Sequence, residues 1–230
     1  MADQEHLKIL NQGEEAWNNW REREFYATPQ LRDIDFSGID IGQMDLSRAD
    51  LSGANFNGRD LSNRDLTETD LTGAKLNDAN LSKSRLVGSN LYLADLVCAD
   101  LRFADLQAAD FRYANLSKAK LQETYLGGTN FTGANLFEAA FDRALFNSTI
   151  FGDNDLRIVT GLESINHNYS SKDEEFGKRL AARMREANVR VWFAAEDVMG
   201  GEKTLEQVAY AIETHDRLLL VLSLDSLHSE

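Results

Sequence analysis

The 230-residue sequence predicts a mainly β protein, a solenoid of stacked short strands followed by a small α/β module. Three observations carry this. From Phe36 to Phe151 every fifth residue is Leu, Phe or Ile, 24 times in succession, a period that neither an α-helix nor an ordinary strand can use. Around each large residue the register repeats, as in Ala49-Asp50-Leu51-Ser52-Gly53. After Tyr169 the five-residue period stops and helix-period and strand-period segments alternate. A short period repeated this often marks a solenoid whose units bury their apolar faces only by stacking on neighbours.

Within each repeat the residue two places before the large one is mostly Ala, Ser or Thr, and the residue directly before it is Asp eleven times and Asn six times. The two places after it are mostly polar or Gly. This block resembles the pentapeptide-repeat family, whose unit reads A-(D/N)-L-x-x. The resemblance implies a right-handed quadrilateral parallel β-helix with four repeats per coil. Counting in twenties supports that coil, because Phe111, Phe131 and Phe151 share one column and Phe36 and Phe56 another. About six coils at a strand spacing of roughly 4.8 Å give a rod about 29 Å long. An Ala to bulky change at the small positions should destabilise it. Arg59 and Arg64 occupy two of those positions, either with snorkelling stems and exposed guanidinium groups or as clamps on Asp60 and Asp65.

Both ends of such a rod need covers, because an open coil exposes strand edges. At the front, Leu7, Leu10, Trp17 and Trp20 recur at helical spacing, which predicts a capping helix over residues 5–25. Pro29, the single proline, marks the change from helix to coil. At the far end the position before the large residue becomes Ala140, Leu145 and Ile150, which the linker (Leu156, Ile158, Val159, Leu162) or the next module should cover. Midway, Tyr92, Leu93 and Tyr113 face outward and form a candidate docking patch.

In the second module Ser171 and Glu174 have capping-box spacing, and Phe176, Leu180 and Met184 follow on one helical face. Val189, Val191 and Phe193 alternate as a strand, Leu205, Val208, Ala209 and Ile212 mark a second helix, and Leu218 to Leu222 suits a strand buried on both faces. Alternation of this kind implies a parallel sheet. The segments Tyr169 to Phe176, Val189 to Phe193, Glu196 and Asp197 through Gly200 and Gly201, and His215 to Ser223 resemble bacterial Toll/interleukin-1 receptor (TIR) domains, with the flavodoxin-like sheet of that family. The domain plan is a capping helix (1–33), a repeat β-helix (34–152), a linker (153–168) and a partial TIR domain (169–230).

The TIR resemblance implies signalling by self-association and, for some members, NAD cleavage. Two departures limit the transfer. Asn166, His167 and Asn168 make a poor first strand. The family's Trp and catalytic glutamate follow the position matched by Glu230, so the TIR part is expected to be truncated and the chain itself to have no NADase activity. No catalytic residue, cofactor or metal ligand is assigned; His6, His167, His215 and His228 are scattered. The association-loop residues by resemblance are Glu196, Asp197, Gly200 and Gly201, which equally suit a plain solvent-exposed βα turn.

A net charge of −14 and the lack of a basic patch exclude direct nucleic-acid binding. One cysteine, Cys98, excludes an intrachain disulfide, and no apolar stretch reaches membrane length. The expected protein is cytoplasmic, with protein partners, other TIR domains among them and a homo-oligomer as one option. Two further readings remain: a TIR-type NAD glycohydrolase completed by a longer product or a partner, and, from relatives whose acidic rods mimic DNA, a topoisomerase-binding protein.

Overall fold

The computed structural model describes residues 2–146, 148–156 and 159–161, together with the backbone of 190–191, 217–218 and 220–222. From Gln30 onward, residues 20 apart pair as parallel bridges, Gln30↔Asp50, Asp50↔Asp70 and so on to Asn130↔Ile150 and Ala140↔Thr160. Four repeats therefore make one coil, as the Phe columns implied. All 24 large residues from Phe36 to Phe151 are at most 5% exposed. Phe36 stacks on Phe56 at 4.3 Å, and Phe131 lies between Phe111 and Phe151 at 5.3 Å from each. Leu31, one repeat ahead of the run, is equally buried.

The outward Asp and Asn residues have a specific task. At Asp60, Asp70 and Asp105 a carboxylate oxygen accepts the N–H of the residue two places on, at 2.9, 3.0 and 3.3 Å, and so fixes the corner that follows. This is an Asx turn, which Asp and Asn form and Ala cannot. Where Lys75 interrupts the series, Asn57 of the preceding coil accepts the N–H of Asn77 instead, at 2.9 Å. Each corner closes with a bond such as Ala54 N–H to Leu51 O, and the second corner residue is left-handed: Gly53 has φ 69° and Lys83 φ 59°. Only Gly takes that conformation without cost.

The front cap differs from the single helix expected. It is two helices, α1 (Gln4–Leu10) and α2 (Glu14–Arg23), parted at Gly13, whose φ of 95° breaks the helical path. Trp17 and Leu10 are buried as expected, and Trp20 packs partly buried beside them. Beyond apolar cover, α2 supplies hydrogen bonds to the first coil. Glu14 and Asn18 accept the N–H groups of Gln43 and Asp45, while Trp17 Nε1 donates to Asp45 O at 2.8 Å. Arg21, only 3% exposed, donates to Asp45 and to the carbonyls of Ala27 and Ser47. These residues are spaced i, i+3, i+4 and i+7, so one helical face satisfies an edge that has no preceding coil.

Arg59 is neither a snorkelling stem nor a clamp on Asp60. Its guanidinium donates to Ser37 O and Ile39 O of the first coil, at 3.3 and 2.7 Å. No bridge pairs Asp40 with Asp60 among the described residues, and these two side-chain bonds join the coils there. Arg64 is half-buried.

At the far end the linker continues the coil. Leu156 and Val159 are buried, and Thr160 pairs with Ala140. Asn154, 1% exposed, gives both amide protons to Phe131 O and Ala134 O at 2.8 Å. Gly161 stands where the next large residue would be, with φ 81°, and a Cβ there would collide with the Asp142 backbone. The Ile158 and Leu162 contributions and both helices of the second module lie outside the described residues. The apolar runs at 189–193 and 218–222 each contribute strand. β1 (Thr149–Phe151) is the last rung of one rod face; β2 (Arg190–Val191) pairs parallel with β3 (Arg217–Leu218), as expected. Of the strand expected over 218–222, Leu218 lies in β3 and Leu220–Leu222 form strand as well. β4 (Leu220–Leu222) pairs antiparallel with β1, Ile150 opposite Val221.

Candidate interaction surface

Tyr92, Leu93 and Tyr113 meet on one corner of the rod, brought together by the coil period that places Leu93 and Tyr113 in one column. Leu93 is 55% and Tyr113 53% exposed, and the Tyr92 ring meets that of Tyr113 edge-on at 5.7 Å. Leu93 and Tyr113 are left-handed, with φ 58° and 59°, in a column that also holds Asp33, Gly53, Gly73, Gly133 and Asp153. That conformation is the rod's usual corner, taken also by Glu68 and Lys83, and here it carries large side chains that face water. The Tyr113 ring lies across Gly133, where an added Cβ would come within 2.5 Å of it.

Arg112 borders the corner. It pairs with Asp110 at 2.6 Å, and its guanidinium carbon lies 5.7 Å from the Tyr92 ring centre. Burial works against the Asp110 charge, but hydrogen bonds from the Arg112 side chain and N–H outweigh it and hold the carboxyl below its usual range. The same pair raises the Arg112 pKa. The corner is therefore apolar with its adjacent charges mutually neutralised, suited to contact with a protein surface.

Other exposed aromatics belong to the same inventory and were not singled out from the sequence. Phe103 (45%), Tyr125 (50%) and Phe137 (43%) stand at outward repeat positions and were legible by the column count. Phe25 and Tyr26 are exposed in the turn after α2, with Arg48 over the Phe25 ring at 4.4 Å. Glu196, Asp197, Gly200 and Gly201 lie outside the described residues. Cys98 is half-buried at a corner, and no cluster able to hold a metal ion occurs among the described residues. No helix among them is long and apolar enough to cross a membrane.

The model of pentapeptide repeats matches the chain in eight copies, over residues 30–63, 58–91, 74–112 and 114–153. The chain belongs to the pentapeptide-repeat family. This pentapeptide-repeat protein also carries a match to the TIR domain over residues 168–230. Among solved structures it is similar to a pentapeptide repeat protein (Rfr23) from the cyanobacterium Cyanothece 51142, with 27% identity, 51% of this chain and 95% of that one covered, and a TM-score of 0.43. It is also similar to the pentapeptide repeat protein alr5209 from Nostoc Pcc 7120, with 36% identity, coverage of 46% and 78%, and a TM-score of 0.32. HetL, a pentapeptide repeat protein involved in heterocyst differentiation regulation from Nostoc sp. strain PCC 7120, shares 25% identity, with coverage of 64% and 94% and a TM-score of 0.28. No curated protein matches the chain.

Proposed function

We propose that this protein is a cytoplasmic interaction and signalling scaffold, a stiff repeat rod that presents a TIR docking module and performs no catalysis itself. The observation that carries this reading is the joining of a TIR match at 168–230 to a repeat block at 30–153. The exposed apolar corner of Tyr92, Leu93 and Tyr113 supports it as a second contact surface. The TIR loop with Glu196, Asp197, Gly200 and Gly201 is the proposed self-association element, so other TIR domains or a second copy of the chain are its partners.

Sedimentation equilibrium of the whole chain over a range of concentrations tests this. Association that weakens with Asp197→Ala supports the loop, and binding of a partner that weakens with Tyr113→Ala supports the corner. A chain that stays monomeric, binds no isolated TIR domain and releases nicotinamide from NAD would overturn the scaffold reading in favour of the glycohydrolase.

A further inference from the structure

The segment 217–222, Arg217 followed by five apolar residues, meets two partners. Its first half, β3, lies parallel to β2, whereas its second half, β4, lies antiparallel on the final rung of the rod, with Thr149 opposite Leu222, Ile150 opposite Val221 and Phe151 opposite Leu220. We propose that Thr149–Phe151 is a strand-docking site and that its occupant is this chain's own Leu220–Leu222, a latch that closes the rod and ties the C-terminal module to it. The inference does not depend on the scaffold reading.

Three features fit the assignment. The rod's ladder runs one way along the axis: Phe131 N–H donates to Ile150 O and Ile150 N–H donates to Thr129 O. By the same rule the N–H of Phe151 points beyond the last rung, where a following coil would accept it and where β4 lies instead. An unpaired edge of this kind adds an extended strand by main-chain bonds. The sequence also changes at this end, since the place before the large residue, mostly Asp or Asn along the rod, is Ala140, Leu145 and Ile150 in the last three repeats, with Ile150 in register with Val221. Finally, the residues that meet the rod follow directly on those that meet β2, so one short segment joins the rod to the C-terminal module.

The geometry makes the test specific. Ile150 commits its N–H to Thr129, so its pair with Val221 is the non-hydrogen-bonded kind, with Cα atoms about 4.5 Å apart. That spacing lies within the range a disulfide spans, whereas the preceding rung, at Asn130, is one strand spacing further and out of reach. In a full chain carrying Cys98→Ser, the pair Ile150→Cys with Val221→Cys should form a crosslink at monomer mass at least about tenfold faster than Asn130→Cys with Val221→Cys. Equal rates for the two pairs, or crosslinks only at dimer mass, would overturn the latch. A measurement without cysteines gives the same decision: the Phe151 amide of the unaltered chain should exchange as slowly as that of Phe131, and fast exchange at Phe151 alone would overturn it.

Discussion

At the scale of single residues, the five-residue repeat assigns one duty to each place. The large residue fills the interior, the small one lets the chain pass beside it, and the Asp or Asn fixes the corner. Asp60 accepts from Ser62 N–H and from Asn80 Nδ2, at 2.9 and 3.0 Å. Asp60→Ala should lower stability by about 1 kcal/mol, and Asp60→Asn, which keeps the acceptor oxygen, by much less, measured as a shift in denaturation midpoint. Lys83 is exposed with φ 59°, so Lys83→Gly should raise stability by about 0.5–1 kcal/mol despite the added freedom of the unfolded chain. Little gain there would show that the corner is not strained. The inward places were legible in the sequence because burial leaves a period. The left-handed corners were not, because Lys, Glu, Leu and Tyr occupy them as often as Gly.

At the scale of elements, the rod is finished differently at its two ends. The front uses side chains of one helical face to stand in for a missing coil, and Arg21 is the centre of that arrangement. Arg21→Met should preserve most of the packing yet cost about 2–4 kcal/mol, since the Asp45 carboxylate and two carbonyls would lose their donor. Amide exchange at residues 43–47 should rise with it, while residues near Leu91 stay protected. If exchange changes evenly along the rod, α2 is not an edge cap. The Trp and Leu spacing revealed that a helix covers this end. It could not reveal the break at Gly13, because a glycine inside a helical pattern is tolerated about as readily as it ends one, nor the burial of Arg21, whose charge reads as surface. The candidate corner was legible for the opposite reason: Tyr92, Leu93 and Tyr113 depart from the polar residues that most outward places hold, as Phe103, Tyr125 and Phe137 also do. That Leu218 pairs toward β2 while Leu220–Leu222 pair with the rod left no trace in the uniformly apolar residues 218–222.

At the scale of the molecule, charge and shape act together. Arg102 beside Asp100, the Ser62 N–H beside Asp60, and Arg112 beside Asp110 against the opposing effect of burial, hold carboxyls below their usual range. A carboxyl depressed in the folded state adds stability above its unfolded pKa of about 4 and loses it as pH falls through the folded value. Acidification from pH 7 first relieves the repulsion of a chain with net charge −14, so stability should hold to about pH 5 and fall below about pH 4. A midpoint that declined steadily from pH 7 would show that these carboxylates are not the controlling groups. The role proposed for this molecule is contact rather than chemistry, a repeat rod joined to a TIR match. The most direct test is nicotinamide release from NAD by the purified 230-residue chain. The account predicts no release above that of buffer alone, and sustained turnover would contradict it.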